Sequence, residues 1–242
     1  MNLNAFLSSN GFCSRRKAAI IIKDGKVTVN GRTVIEPWYQ VKDSDAVKAE
    51  GKAVGSKRHV YIVINKPKGV TSTLEDRFAL EKITDLIPKK FGRVYPVGRL
   101  DKESRGLMIM TSDGYLCYRL THPKFEVEKE YVVTVKGKAD ESTLKKLRKG
   151  VKDKDDILKV KTAQIEKTSE DKSIVRVVIA EGKKRHLRRL FTFIGLEVRD
   201  LVRVRIANLR LGDLRDGKYI VLSKKDMVRL LGMKNLDESP LS

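Results

Sequence analysis

Apolar residues near the start of the chain recur at helical spacing, at Leu3, Phe6 and Leu7, and Gly11 follows as a stop. Ser14 then stands as a cap before RRKAAIIIKD, a second helix closed by Gly25. In KVTVNGRTV the pattern switches to alternation, with Val27 and Val29 ahead of an Asn30-Gly31 hairpin turn. The stretch GKAVGSKR at 51–58 reads as a linker, separating a unit at 1–50 from a larger one at 59–232. In the larger unit HVYIVINK, GLMIMTSD, EYVVTVKG, LKVKTAQIEK and SIVRVVIAEG read as strands, and helices are predicted at 114–121, 140–149, 184–194 and 224–231. Leu187, Leu190, Phe191 and Ile194 form a core-facing stripe in the third of these helices. Strands outnumber helices without a regular βαβα alternation, which predicts an α+β domain whose sheet is mostly antiparallel or mixed. No internal repeat is visible, and 233–242 reads as a loose tail.

Charge changes this picture more than composition does. The 242 residues hold 52 Lys and Arg against 31 Asp and Glu, a net charge of +21. A surplus of that size points to a polyanionic partner, nucleic acid or an anionic membrane surface. No apolar run approaches the roughly 20 residues of a membrane span, and the start MNLNAFLSSNG lacks the pattern of a signal peptide. Cys13 and Cys117 stand apart from any Cys/His grouping, which argues against a zinc site or a disulfide framework and fits a reducing cytoplasm. Walker A and G-x-G-x-x-G patterns are absent, so no cofactor or metal is expected.

In the first unit, Arg15, Arg16 and Lys17 open the second helix, with Lys23, Lys26 and Arg32 close by in sequence. Such a cluster suits phosphate contacts along folded RNA, and equally a solvated basic face. The order of elements, with S-R-R at a helix start and then G-x-V-x-V-N-G, resembles the S4 (α-L type) RNA-binding domain over residues 2–50. The resemblance implies a structured RNA partner, usually ribosomal. Trp38, within the less typical EPWY, receives no role.

Asp101 is the candidate for chemistry. It follows Gly98 and Arg99 and precedes the apolar run Leu107 to Met110. A nearby guanidinium would keep such a carboxylate ionised, whereas the commonest task of Asp in a G-x-x-D loop is to bond the turn's own amides. GRLDKESRGLMIMTSDG at 98–114 resembles the catalytic motif of the RsuA-type family of RNA pseudouridine synthases. INKPKG at 64–69, KEY at 129–131, EGKKRHLRRLF at 181–191 and LVRVRIANLRL at 201–211 resemble the family's other motifs, in the family's order.

The resemblance implies the pseudouridine synthase fold over about residues 59–230, and a reaction needing neither metal nor cofactor. A uridine in RNA is flipped out, its N1–C1′ bond breaks, and the uracil rejoins through C5. Asp101 becomes the nucleophile, attacking C1′, adding to C6 or removing a sugar proton. Tyr131 resembles the tyrosine that stacks on the base, and Arg188 the basic residue that pairs with the aspartate. Arg99 is expected to hold the loop or the displaced strand, Leu201 to pack under the base, and Lys66 and Lys129 to support the site. His186 stands where the family usually has Gln, and Lys183, Lys184 and Arg189 read as surface cations. The layout and ALEKITDLIP lean toward large-subunit ribosomal RNA, with small-subunit or transfer RNA as alternatives. The protein is expected to be a cytoplasmic monomer, with no membrane and no protein partner implied. Rival readings are a noncatalytic RNA-binding or ribosome-assembly factor, a glycosidase pairing Asp101 with Glu103, and a membrane-surface binder.

Overall fold

A computed structural model describes residues 1–42, 44–55, 59–73 and 80–233. Residues 56–58 of the expected linker and 234–242 of the expected tail lie outside the described residues, as does the first residue of ALEKITDLIP.

The N-terminal unit pairs two short helices with a small sheet. Helix α1 (Leu3–Ser9) is capped by Asn2, whose side chain accepts from the Ala5 amide at 2.8 Å. Helix α2 (Arg15–Lys23) is capped by Ser14, which accepts from the Lys17 amide. Strands β1 (Val27–Val29), β2 (Arg32–Thr33), β3 (Val47–Ala49) and β4 (Lys52–Val54) form an antiparallel sheet in the order β2-β1-β3-β4. Asn30 and Gly31 both take positive φ, +51° and +79°, as the Asn-Gly turn requires.

The expected boundary is corrected here. Lys52–Val54 is not linker but the edge strand of this sheet, with Val47 opposite Val54 and Ala49 opposite Lys52. Gly51, which marked the start of the linker, forms the hairpin turn with Glu50; both have positive φ. Val54 is buried in one core with Leu3, Ile22 and Val29, so the unit runs to Val54 rather than to residue 50.

The larger unit is built on a nine-stranded sheet. Its main path joins β5 (Tyr61–Lys66), β7 (Arg105–Thr111), β8 (Lys129–Lys136), β11 (Thr162–Thr168), β12 (Lys172–Ile179), β13 (Glu197–Ile206) and β15 (Tyr219–Leu222) in the order β11-β12-β8-β13-β7-β5-β15. Two short strands, β6 (Tyr95–Pro96) and β14 (Leu209–Arg210), pair with β7 and β13. Of these pairs β7 and β13 run parallel and the others antiparallel, as the strand-rich sequence predicted.

Alternation sends the two faces of this sheet to different cores. Ile62, Ile64, Met108, Met110, Val133 and Val175 face one, covered by α4 (Glu141–Lys149) and α5 (His186–Phe193). Tyr61, Val63, Leu107 and Ile109 face the other, covered by α3 (Gly114–Thr121) and α6 (Lys224–Leu231). The four helices fall where predicted, α5 starting two residues later than expected. A separate hairpin, β9 (Val151–Asp153) with β10 (Asp156–Leu158), was not anticipated; its polar tip DKDD gave no apolar alternation to read. Among the described residues no helix is long and apolar enough to cross a membrane.

Candidate active site

The turn at 98–104 that carries Asp101 leaves β6 and enters β7, and its backbone is held from several sides. Gly98 takes φ +73° and lets the chain reverse. The Ser72 hydroxyl, itself buried, both accepts from the Leu100 amide at 3.2 Å and donates to the Leu100 carbonyl at 2.8 Å. The Ser104 amide donates to the Asp101 carbonyl at 3.0 Å and the Gly69 amide to the Lys102 carbonyl at 2.9 Å. From below, the Lys66 ammonium donates to the carbonyls of Ser104 at 2.6 Å, Pro67 at 3.0 Å and Lys102 at 3.3 Å. Arg188 reaches over from α5 to the Glu103 carbonyl at 2.8 Å.

The Asp101 side chain takes no part in this bonding: among the described residues its carboxylate accepts no hydrogen bond from the turn. The turn-bonding alternative therefore fails, and Asp101 presents a half-buried carboxylate to a cleft of about 550 Å³. Tyr131 from β8 and Leu201 from β13, both buried, line the same cleft, as do Arg188 and, at the exposed rim, Arg99. Residues far apart in sequence thus converge because β7, β8 and β13 are neighbours.

One expectation needs correction. Arg188 shares the cleft with Asp101 but forms no ion pair with it. Its guanidinium is spent on main-chain carbonyls, Glu103 and Val198 (3.4 Å), with the Ser104 hydroxyl at 3.5 Å. Arg188 therefore holds the turn rather than the carboxylate. Burial pushes its pKa down, aided by the neighbouring Arg185 charge, while Asp101, Glu103 and Asp200 act in the opposite direction. Glu103 does not line the cleft; its carboxylate lies 3.7 Å from Lys68 at the surface. A working carboxylate pair with Asp101 is absent from this geometry.

Lys66 is wholly buried, and burial pushes its pKa down to about 8, with the Arg203 charge adding to the effect and Glu103 and Asp101 opposing it. Lys129 is pushed down to about 8 by burial and by Arg203, and its ammonium donates to the Val127 carbonyl at 2.8 Å. His186, also buried, has Nε2 3.0 Å from the Lys159 carbonyl and Nδ1 3.7 Å from Glu181. Burial pushes its pKa down, so the ring is neutral and ties α5 to the chain beside it.

Three supporting residues escaped sequence reasoning. Gly106 has φ +108°, and a Cβ there would lie 2.4 Å from the Arg203 carbonyl oxygen and 2.7 Å from its nitrogen, where the parallel strands β7 and β13 meet. Its place in the RGL of the motif was visible; its reason was not. Arg203 sits opposite Tyr131 in the β8–β13 register and is 2% exposed, with Nε donating to the Leu107 carbonyl at 2.7 Å. Its core-facing place in the alternation of LVRVRI was the available signal. Ser72 carried none.

Residues 60–192 match the family model for RNA pseudouridylate synthase, and residues 1–47 match that for the S4 domain. The chain belongs to the RNA pseudouridine synthase family. It is 37% identical over 231 residues to a ribosomal large subunit pseudouridine synthase B of Bacillus subtilis (strain 168), covering 94% of each chain. It is 34% identical to a dual-specificity RNA pseudouridine synthase of Escherichia coli (strain K12), covering 95% of this chain and 78% of the relative. A solved pseudouridylate synthase superposes with a TM-score of 0.66 at 26% identity, over 95% of this chain and 99% of that one. The synthase is thus an isomerase by family, with an S4 unit ahead of the catalytic fold. In that unit Arg15, Arg16, Lys17, Lys26 and Arg32 are all exposed, and among the described residues only Lys26 has an acidic partner, Asp24 at 3.4 Å.

Proposed function

We propose that this synthase isomerises a specific uridine of large-subunit ribosomal RNA to pseudouridine, with Asp101 as the nucleophile acting on a flipped-out base. The observation that carries the reading is the convergence of Asp101, Tyr131, Arg188 and Leu201 on one cleft, with the aspartate's carboxylate left free by a turn that is bonded at almost every peptide. A rigid, unencumbered carboxylate is what covalent catalysis at C1′ or C6 needs. Tyr131 supplies a ring for the base to stack on, and Leu201 an apolar floor beside it. Arg188 and Lys66 act through the turn and keep Asp101 in place. The name of the Bacillus subtilis relative supports the large subunit as the source of the RNA. The exposed cations of the S4 unit suit a folded stem of that RNA. On this reading the protein works as a monomer in the cytoplasm.

Release of tritium from RNA carrying [5-³H]uridine tests the assignment, with large-subunit, small-subunit and transfer RNA as separate substrates. Wild-type protein should release tritium from large-subunit RNA, and Asp101→Asn should bind that RNA while releasing none. Release by Asp101→Asn at the wild-type rate refutes the nucleophile. Release from one of the other RNAs alone refutes the target.

A further inference from the structure

The basic run at 183–189 looks uniform in sequence, and the structure divides it. Lys183 is engaged by Glu181 at 3.1 Å, by Asp156 at 3.9 Å and by the Ile157 carbonyl at 2.7 Å. Arg188 is spent on carbonyls of the Asp101 turn, as described above. Arg189 is held by Asp153 and by Asp156, the latter at 3.0 and 3.1 Å. Lys184 and Arg185 are different: both are exposed, and among the described residues neither side chain has an acidic partner or a hydrogen bond.

Their position is as distinctive as their lack of partners. Lys184 and Arg185 line the catalytic cleft with Asp101 and also a second cleft of about 540 Å³, whose far wall is the acidic tip of the β9–β10 hairpin. They stand where the two clefts meet. Their backbone is fixed in advance: Arg189, anchored on the hairpin, donates to the Lys184 carbonyl at 3.2 Å, and Arg185 accepts from the Arg189 amide at 2.9 Å. Arg185 itself is held at φ +51°, a conformation unusual for an L residue and found preferentially at working sites. Its charge also bears on Arg188, so two guanidinium groups repel each other beside the cleft. An anion placed between them relieves that repulsion.

We propose that Lys184 and Arg185 form a two-cation clamp for one phosphodiester of the RNA strand next to the reacting uridine, and that the acidic hairpin tip closes the second cleft to the strand. The inference rests on reading the Asp101 cleft as the uridine site. It goes beyond that reading in naming two residues and one backbone contact. Asp153, Asp155 and Asp156 face the clamp with like charge to the RNA, so a strand leaving the catalytic cleft turns away from them.

Binding of a fluorescein-labelled single-stranded oligouridylate to the full chain, measured by anisotropy across a KCl series, tests the clamp without any turnover. For a single strand, each protein cation withdrawn from the phosphates removes about 0.7 from the slope of log K against log [salt]. Lys184→Gln/Arg185→Gln should therefore lower the slope by about 1.4, and Lys184→Gln alone by about 0.7, which keeps the test open if the double variant fails to fold. Lys183→Gln should leave the slope unchanged, because its charge is already neutralised within the protein. So should Lys145→Gln/Lys149→Gln, an equal change of charge on the exposed side of α4. An unchanged slope in the clamp variants overturns the proposal, and so does an equal fall in either control. Anisotropy is independent of tritium release, so failure of the clamp is distinguishable from failure of Asp101 as nucleophile.

Discussion

Replacing Lys66 with methionine probes how the Asp101 turn is held. The ammonium is fully buried and donates to three carbonyls, two of them on the turn. Burial lowers its pKa from 10.5 to about 8. Keeping the proton at pH 7 therefore costs about 3 kcal/mol relative to the unfolded chain. The two shorter bonds, charge-assisted, contribute about 3–6 kcal/mol together. Methionine removes both effects and strands the Ser104 carbonyl, so the net loss at pH 7 is about 2 kcal/mol.

The pH dependence separates this account from a simple cavity. Between the folded value of about 8 and the unfolded value of 10.5, the unfolded chain binds the extra proton, so stability attributable to Lys66 rises with pH. The gap between wild type and Lys66→Met in urea unfolding should widen by about 2 kcal/mol from pH 7 to about pH 9.5. Single-turnover tritium release should fall about 100-fold at unchanged RNA affinity, because a turn displaced by about 1 Å misaims Asp101. A stability gap that does not change with pH, or a rate within about twofold of wild type, refutes the reasoning.

Gly106→Ala should destabilise the protein by about 3–5 kcal/mol, since the new methyl meets backbone of β13 at a φ of +108°; the urea midpoint is the measure, and a loss under about 1 kcal/mol counts against it. His186→Gln should keep tritium release within about threefold, with the amide bonding the Lys159 carbonyl as the ring does. Because burial depresses the pKa of His186, the unfolded chain protonates first as pH falls through about 6.5, and wild-type stability declines there. Thermal melts of His186→Gln at acid pH should show a smaller decline than wild type. Arg188→Lys should lower the single-turnover rate about 10- to 100-fold with RNA affinity retained, as an ammonium cannot span Glu103 and Val198 together.

Local physics carried the sequence a long way. Helical spacing with Ser14 as a cap placed α2, and the two-residue turn at Asn30-Gly31 placed the first hairpin, because each depends on neighbours in the chain. The ordered motifs identified the family and placed Asp101, Tyr131 and Leu201 in a common site, which the cleft brings together. The same local reading failed at Gly51, where a hairpin turn and a linker start share one residue type.

What distant partners determine was not legible in sequence. Arg188 promised a charge for Asp101 and instead binds carbonyls, since its reach depends on where α5 sits against the turn before β7. Gly106 owes its necessity to the approach of β13, nearly a hundred positions away. The cations at 183–189 became unlike one another only when the β9–β10 hairpin set its aspartates against some and not others. Sequence determines which charges and backbone shapes are available; tertiary packing decides which of them are already satisfied, and so which remain to meet RNA.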